Sequence, residues 1–156
     1  PALELRFTTQ SETINVTSPA NTPELPPVSG TAHLDERIQR ALSRPHRIDM
    51  TTTGRRSGRP RRIELVFHVI DGMVVISGSP GRRDWYANLV ADPHITFHLK
   101  GPIRADLPAI ARPITEPAER QRVMEAVARN WGVEDRFEVF LRRSPLVEVL
   151  FEDKAA

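Results

Sequence analysis

The chain has 156 residues, of which 39% are hydrophobic and 27% are charged, a composition expected of one soluble domain with an appendage. It contains no cysteine, which excludes disulfides and cysteine-ligated metal sites and fits a reducing compartment. The 22 Lys and Arg against 20 Asp and Glu leave a net charge of +2, which excludes a uniformly basic surface. No apolar run approaches the roughly 20 residues that span a bilayer, so we expect no membrane span. The N-terminus has no basic start followed by an apolar stretch, so we expect no signal peptide and predict a cytoplasmic protein.

Residues 1–32 differ in composition from the rest of the chain. They are rich in Thr, Pro and Ser and contain a single cation. Apolar residues alternate around Leu5 and Val16, as in two short strands, whereas residues 21–27 have the composition of a linker. We therefore predict an N-terminal extension or linker over residues 1–32 and a folded domain over residues 33–156.

Hydrophobic spacing in the first half of that domain predicts one helix followed by strands. Apolar residues at helical spacing end before Pro45, which stops the helix. Residues 62–70 then alternate apolar and polar side chains, as in a half-buried strand. Asp71-Gly72 supplies a two-residue hairpin turn of the kind that needs positive φ. The predicted elements here are a helix over 34–42 and strands over 46–53, 62–70 and 73–79.

The second half of the domain predicts further short helices and strands. Asp84 is expected to cap one helix, and Thr115 a longer one with Pro117 in its first turn. Pro108 predicts that the strand over residues 103–112 lies at a sheet edge or contains a bulge, because proline lacks the N–H that a strand ladder needs. The predicted elements here are helices over 85–91, 115–130 and from Phe137 to near Pro145, and strands over 94–99, 103–112 and 146–152.

These elements predict a mainly β protein with helices, in the α+β class. There are about six strands, mostly antiparallel, and a small barrel with helices across its openings would bury their apolar faces. A doubly wound parallel sheet is not expected, because strands and helices do not alternate regularly.

The sequence GRRSGRPRR, residues 54–62, holds five arginines in nine positions. Without them the net charge of the chain would be 2 − 5 = −3. Arginine forks bind phosphates and carboxylates with two parallel hydrogen bonds, and Gly54 and Gly58 let the backbone approach a ligand closely. Because predicted strands flank and position this loop, the pattern indicates a site for a small polyanion.

Two other interpretations of the same loop are open. The arginines could lie in a solvated turn and pair with nearby carboxylates, where each exposed pair contributes only about 0–1 kcal/mol. The string SGRPRR also resembles a minor-groove-binding peptide with an Arg-Gly-Arg-Pro core, in which Ser57 replaces the first arginine. Nucleic-acid binding normally needs a broad basic face. Outside the loop the close arginine pairs are Arg82-Arg83 and Arg142-Arg143, so we expect no nucleic-acid partner.

Three segments read together resemble the deazaflavin-dependent nitroreductase family of split β-barrel oxidoreductases. They are Thr51-Thr52-Thr53-Gly54-Arg55-Arg56-Ser57-Gly58-Arg59-Pro60-Arg61, the hairpin through Asp71-Gly72, and Asp84-Trp85-Tyr86-Ala87-Asn88-Leu89 with Ala91-Asp92-Pro93. The resemblance covers residues 46–152, and the Trp-Tyr-x-Asn-Leu helix makes it more specific than the loop alone.

The resemblance implies a split β-barrel that binds coenzyme F420 or, as an alternative, FMN. F420 carries a phosphate and a tail of glutamates, which the arginine loop would hold. The segment from Ser77 to Arg82 would follow the edge of the deazaflavin, and two residues of the short helix would support the pocket. The implied cofactor-binding residues are Arg55, Arg56, Ser57, Gly58, Arg59, Pro60, Arg61, Ser77, Gly78, Ser79, Pro80, Gly81, Arg82, Trp85 and Asn88. No catalytic residue is assigned and no metal site is expected.

The implied reaction is hydride transfer from the reduced deazaflavin to a small, hydrophobic, electron-poor acceptor such as a quinone, an enone or a nitroaromatic. The coenzyme carries that chemistry, while the protein positions the reactants and excludes water. The chain departs from the family in having Ile63-Glu64 after the loop and a single tyrosine, Tyr86. With Phe137 and Phe140 where the family has tyrosines, we expect an apolar pocket and protonation by solvent.

The alternatives are a non-catalytic split-barrel binder of FMN, haem or lipid, and a nucleic-acid-binding module that uses the arginine loop. An apolar acceptor would also bring the protein into peripheral contact with a membrane. The pattern leaves open whether the protein is a monomer or a homodimer.

Other polar residues and the tryptophan have simpler interpretations. His94 and His98 lie on one strand face roughly 13 Å apart by strand rise, too far to ligate one metal, so we expect surface or pocket positions for them. Core packing of Trp85 against Leu89 competes with a cofactor contact. The acidic residues of the long helix, Glu116, Glu119 and Glu125, are expected to form a solvated face.

Overall fold

Six antiparallel strands form a closed barrel in the computed structural model, which describes residues 28–153. In chain order the strands are β1 (Arg47–Thr53), β2 (Pro60–Ile70), β3 (Met73–Ser77), β4 (His94–Lys100), β5 (Arg104–Pro113) and β6 (Leu146–Phe151). Around the barrel they follow the order β1-β2-β3-β6-β5-β4, and pairing of β1 with β4 closes the ring. The six-stranded barrel predicted from the sequence is confirmed.

Helices connect the strands and begin or end where the sequence supplies a suitable residue. They are α1 (Glu36–Leu42), α2 (Asp84–Ala91), α3 (Pro117–Trp131), a 3-10 turn (Glu134–Arg136) and α4 (Phe137–Arg143). α3 ends at Gly132, whose φ of 67° is a left-handed conformation that glycine adopts without strain. The β2–β3 turn has Asp71 at φ 52° and Gly72 at φ 76°, which confirms the predicted hairpin.

Two apolar clusters hold these elements together. Phe67 and Phe97 meet edge to face in the inner cluster, with ring centroids 5.5 Å apart, and Trp85 and Leu89 of α2 pack into the same cluster. The outer cluster joins β3 to α3 and α4 and includes the buried Phe140. Each buried side chain of this size contributes about 1.5–3 kcal/mol, so the helices are firmly seated on the barrel wall.

Two helix starts differ from the prediction. α2 has Arg83 at its N-cap without a side-chain hydrogen bond, and Asp84 lies in the first turn instead of capping it. Asp84 is already the first helical residue, and its carboxylate lies 3.3 Å from the guanidinium of Arg55. α3 is capped by Glu116 and not by Thr115, because the Glu116 carboxylate accepts two N–H groups of the first turn at 3.1 and 2.8 Å.

Pro108 lies in a regular strand, so the predicted edge or bulge is wrong. β4 pairs with β5 along the whole length of β4, with Thr96 opposite Pro108, and β5 pairs with β6 only from Ala109 onward. Pro108 therefore lies just beyond the β6 ladder, where its missing N–H breaks no bond to that strand. Because the barrel is closed, β5 as a whole is not an edge strand, although Pro108 itself has a ladder partner on one side only.

Residues 28–32 contact the barrel. Val28 is buried in the inner cluster, and the N–H of Ser29 donates to the carbonyl of Gly72 at 2.7 Å. The two short strands and the linker predicted within residues 1–27 lie outside the described residues, and a domain boundary after residue 32 stays a prediction. Between residues 28 and 153, no helix combines the length and the apolar character needed to cross a membrane.

Candidate functional site

The arginine loop, residues 54–61 between the body of β1 and that of β2, is a tightly folded turn. The N–H of Gly54 donates to the carbonyl of Arg59, and the N–H of Gly58 donates to the carbonyl of Gly54, both at 2.8 Å. Gly58 has a φ of 70°, and a Cβ added to Gly54 would lie 2.6 Å from the Ser57 hydroxyl. That hydroxyl accepts the N–H of Arg59 at 3.1 Å. The turn itself therefore requires both glycines.

Asn88 of α2 anchors the base of the arginine loop. Its buried Oδ1 accepts the backbone N–H of Arg55 at 3.1 Å and the Nη1 of the same residue at 2.9 Å. Its Nδ2 donates to the Thr52 hydroxyl at 3.2 Å. Asn88 thus joins α2, β1 and the loop, and it holds Arg55 in position. Its contact with a cofactor stays a prediction.

The five arginines of residues 54–62 fall into two groups according to their partners. Arg62 lies 3.0 Å from the carboxylate of Asp49, and Arg55 lies 3.3 Å from that of Asp84. The other three have no carboxylate within salt-bridge distance anywhere in residues 28–153; they are Arg56, Arg59 and Arg61. A solvated turn neutralised by neighbouring carboxylates therefore describes Arg62 but not these three.

A cavity of about 440 Å³, named here the loop cavity, lies beside the arginine loop. Its wall includes Arg56 and Arg61 on one side and Trp85 of α2 on another. Trp85 is 8% exposed and packs into the inner cluster, so it serves the core and the cavity wall together. The loop cavity thus combines an apolar aromatic surface with guanidinium groups that have no carboxylate partner in the described part of the chain.

A second cavity of about 970 Å³, named here the helix cavity, adjoins the first, and Arg55, Arg56 and Asp84 line both. Its remaining wall comes from residues 81–83, from α2, from Thr115 and Arg120, and from residues 142–145. Seven arginines and a single carboxylate, Asp84, line this cavity among the described residues. The strongest local excess of positive charge therefore extends well beyond the loop that the sequence indicated.

The predicted cofactor-binding residues divide between cavity wall and framework. Eight line one of the two cavities: Arg55, Arg56, Ser57, Arg61, Gly81, Arg82, Trp85 and Asn88. Seven line neither: Gly58, Arg59, Pro60, Ser77, Gly78, Ser79 and Pro80. The Ser77 hydroxyl is buried and donates to the carbonyl of Pro145 at 2.6 Å, which fastens β3 to the α4–β6 connection. Direct cofactor contact by all fifteen stays a prediction.

The helix cavity includes residues that sequence reasoning did not assign to the site. They are Arg120 of α3, Arg142 and Arg143 of α4, and Tyr86 of α2. The sequence shows Arg142-Arg143 as a close pair but does not indicate what lies beside it. The N–H of Gly81 donates to the carbonyl of Arg143 at 2.9 Å, and this long-range contact brings α4 to the predicted ring-binding segment.

The expected apolar pocket around Phe137 and Phe140 is not found. Phe140 is buried in the outer cluster, with its ring centroid 6.1 Å from that of Trp131, and Phe137 packs against the same cluster. α4 therefore turns its aromatic residues towards the barrel wall and α3, while its final arginines line the helix cavity. A phenol, Tyr86, also lines this cavity, although a pocket without one was expected.

Glu64 is neutralised by neighbouring cations and does not line the loop cavity. Its carboxylate accepts a hydrogen bond from Lys100 and lies 3.3 Å from Arg47. The hydrogen bond from Lys100 is the main cause that holds the pKa of Glu64 below its usual range. The acidic residue that follows the arginine loop is therefore compatible with an anionic ligand in the loop cavity.

The described histidines are held by different neighbours. His98 is buried, with Nδ1 2.7 Å from Asp106 and Nε2 2.7 Å from the Thr51 hydroxyl, whereas His94 is exposed. His68 is also buried, and burial lowers its pKa. Across residues 28–153, no group of three or more His, Asp or Glu side chains could hold a metal ion.

The closed barrel, the arginine loop and the adjoining cavities define a class of protein, the split β-barrels that bind a flavin-type cofactor. Residues 31–150 match the F420H(2)-dependent quinone reductase family, and the chain belongs to this family. It is therefore an oxidoreductase whose coenzyme is F420, and the match favours F420 over the alternative cofactor FMN.

Solved structures share the fold at low sequence identity. An F420-H2 dependent reductase is 22% identical over 66% of this chain and 92% of its own, with a TM-score of 0.52. A conserved hypothetical protein from Mycobacterium tuberculosis is 18% identical over 76% and 81%, with a TM-score of 0.60. A heme storage protein from Vibrio cholerae is 13% identical over 68% and 81%, with a TM-score of 0.54. These likenesses establish the barrel and nothing more specific.

The residues of the site fit the coenzyme of the family. F420 is a small polyanion, and three arginines of the loop lack carboxylate partners among residues 28–153. The turn between them is built on glycines that a side chain would distort. Two cavities adjoin it, one of them with a buried tryptophan in its wall. The charge of the arginines, the glycine-built turn and the two cavities are therefore all compatible with a ring compound that carries a phosphate.

Proposed function

We propose that the protein transfers a hydride from reduced F420 to a small, electron-poor acceptor such as a quinone, an enone or a nitroaromatic. The observation that carries the proposal is the arginine loop, with three guanidinium groups unpaired among the described residues beside a cavity of about 440 Å³. A phosphate and a glutamate tail would supply the negative charge that this loop lacks.

The roles of individual residues follow from the family resemblance and from their positions around the cavities. Arg56 and Arg61 would hold the phosphate and tail, while Asn88 keeps Arg55 oriented towards them. The segment 77–82 would run along the ring edge, and Trp85 would form an apolar wall. In this proposal residues 33–156 are the cofactor-binding domain.

The protein's own contribution to the reaction is electrostatic and positional. Bound F420 supplies the hydride, and its addition to a conjugated acceptor builds negative charge on an oxygen. Positive groups held in position beside the reacting oxygen stabilise such charge. The arginines of the helix cavity would do so here, and Tyr86 in the same wall is a candidate proton donor. The acceptor that we propose has an apolar ring small enough for this cavity of about 970 Å³.

A cofactor-selection experiment tests the proposal. The purified protein is titrated with F420 and, separately, with FMN, and the fluorescence of each cofactor is followed. We expect quenching at micromolar F420 and no response to FMN. The complex with reduced F420 is then mixed with a naphthoquinone, an enone or a nitroaromatic, and absorbance reports oxidation of the coenzyme. We expect oxidation with at least one acceptor and none in the absence of an acceptor.

Each competing function has its own outcome in this experiment. Binding of FMN without a response to F420 would favour a non-catalytic split-barrel binder. Retardation of DNA with a steep salt dependence, and no binding of either cofactor, would favour a nucleic-acid-binding module. Tight binding of F420 with no oxidation by any acceptor class would contradict the proposed acceptors.

A further inference from the structure

We infer that the helix cavity selects acceptors that carry an anionic group, such as a carboxylate, a sulfonate or a phosphate, beside their electron-poor ring. This inference deepens the proposed function and rests on it, because it assigns the helix cavity to the acceptor. The acceptor class proposed above is thereby narrowed from any small electron-poor ring to an anionic one.

The charge balance of the cavity wall is the first support. Asp84, the carboxylate in that wall, already lies 3.3 Å from Arg55. Arg142 lies 3.9 Å from Glu138, and both side chains are more than two-thirds exposed, so this pair neutralises little. Arg82 and Arg143 have no carboxylate within salt-bridge distance in the described part of the chain. A bound anion would therefore meet positive charge that residues 28–153 do not neutralise.

Two further arginines of the wall are fixed by neutral groups. Arg120 donates to the carbonyls of Leu141, Ile114 and Ser144 at 2.8, 3.2 and 2.5 Å. Arg83 donates to two backbone carbonyls at 2.8 and 2.9 Å. Carbonyls orient a guanidinium but leave its full positive charge in place. The cavity thus has positive charges that are already ordered before a ligand arrives, which lowers the entropy cost of binding.

The arrangement of the wall separates this charge from the coenzyme tail. The loop cavity includes Arg55, Arg56 and Arg61 and none of the arginines from α3 or α4. If the phosphate and tail occupy the arginine loop, the charges of Arg142 and Arg143 have no role in holding them. Arg142 and Arg143 would instead face the other reactant, which is the acceptor.

Backbone contacts keep the two sides of the cavity together. The N–H of Gly81 donates to the carbonyl of Arg143, and the Ser77 hydroxyl donates to the carbonyl of Pro145. Gly81 has a φ of 122°, a conformation that only glycine adopts readily, so the 77–83 loop can take the close course along α4. Arg143 is thereby held beside the segment that is expected to follow the ring edge.

The test compares two acceptors that share one ring. Tryptophan fluorescence follows the binding of 1,4-naphthoquinone and of 1,4-naphthoquinone-2-sulfonate to the full chain, first without and then with F420. The variants are Arg142→Gln/Arg143→Gln and the charge-matched control Arg104→Gln/Arg129→Gln, whose exposed side chains lie outside the helix cavity. Thermal unfolding checks that both variants are folded.

We expect the wild type to bind the sulfonate at least about tenfold more tightly than the neutral quinone, because charge-assisted hydrogen bonds are strong. The Arg142→Gln/Arg143→Gln variant should lose most of this preference and keep its affinity for the neutral quinone and for F420. The control variant should behave like the wild type. In turnover with reduced F420, the same preference should be found in kcat/KM.

Two results would overturn the inference. One is equal affinity of the wild type for both quinones. The other is a variant that loses F420 binding together with sulfonate binding, because the arginines would then hold the coenzyme tail. Failure of the proposed function gives a different pattern: the wild type would ignore F420 yet still prefer the sulfonate, which supports an anion-selecting cavity without a reductase.

Discussion

Two arginine-containing regions of this barrel differ in how their charge is balanced. In the neutralised patch, formed by Arg47, Asp49, Arg62, Glu64 and Lys100, every cation contacts a carboxylate. Arg62 lies 3.0 Å and Lys100 2.7 Å from Asp49, and Lys100 also bonds Glu64. In the arginine loop and the helix cavity, most of the arginines lack such a partner among residues 28–153. The comparison shows that a cluster of cations indicates a binding site when the cations lack carboxylate partners. The presence of cations alone does not indicate one.

The two regions should also differ in how they contribute to the stability of the protein. Ion pairs at the protein surface, such as those of the patch, contribute little to stability. Neighbouring arginines without counter-ions repel one another, and only a bound anion offsets that cost. Ligands should therefore stabilise the protein through the loop and the helix cavity, while the patch contributes the same with or without them.

The largest effect on stability is expected at Arg120, which lines the helix cavity but has a structural role. Arg120→Met removes three hydrogen bonds, two to carbonyls at the end of α4 and one to the carbonyl of Ile114, and should reduce the free energy of unfolding by about 2–4 kcal/mol. Urea unfolding measures the change. Arg129→Met, at an exposed position of the same helix, is the control and should change little. A loss no larger than that of the control would contradict a structural role for Arg120.

A smaller effect is expected at Asn88, which links the framework to the binding loop. Asn88→Ala leaves the N–H of Arg55 without its partner and should cost about 1–3 kcal/mol of stability. F420 affinity should fall about tenfold, because the loop is less well ordered before binding. Unfolding and F420 titration are measured on the same sample. If affinity stayed constant while stability fell, Asn88 would support the fold without positioning the loop.

The smallest effect is expected in the neutralised patch, where it depends on pH. Lys100 lowers the pKa of Asp49 and of Glu64 mainly through side-chain hydrogen bonds. Because these pKa values are lower in the folded state, their stabilising contribution is present above the unfolded values of about 4 and is lost as the pH falls. Lys100→Met should therefore lose less stability than the wild type between about pH 7 and about pH 3.

Urea midpoints at both pH values test the prediction for the patch. F420 affinity should be unchanged in Lys100→Met at neutral pH. An identical pH dependence in the variant and the wild type would mean that Lys100 does not stabilise these two carboxylates. A loss of F420 affinity would mean that the patch belongs to the binding region after all.

Much of the fold could be predicted from the sequence, because local patterns determine it. Alternation in residues 62–70 and the Asp71-Gly72 turn specify a hairpin whatever lies around them. The effect of Pro108 could not be predicted, since it depends on whether the sheet closes. The cap of α3 was missed for a similar reason: Thr115 is the better capping residue locally, yet the longer Glu116 side chain reaches both N–H groups.

The candidate site was predictable only in part. The arginine loop is contiguous in the chain, so its composition alone drew attention to residues 54–62. Arg142 and Arg143 lie far along the chain, and long-range contacts such as the hydrogen bond from the N–H of Gly81 to the carbonyl of Arg143 place them at the site. Whether Arg62 and Arg56 are neutralised depends on carboxylates from other strands. The sequence of the loop alone does not predict which of these arginines has such a neighbour.

The central claim is that unpaired arginines of the loop hold the coenzyme, and a charge-matched titration tests it most directly. F420 is titrated calorimetrically into the wild type, into Arg56→Gln/Arg61→Gln and into Arg47→Gln/Arg62→Gln, which remove the same charge from the two regions. We predict at least about a hundredfold loss of affinity in the loop variant, since two charge-assisted bonds are lost, and less than about a threefold change in the patch variant. Equal losses in both variants, or full affinity in the loop variant, would contradict the account.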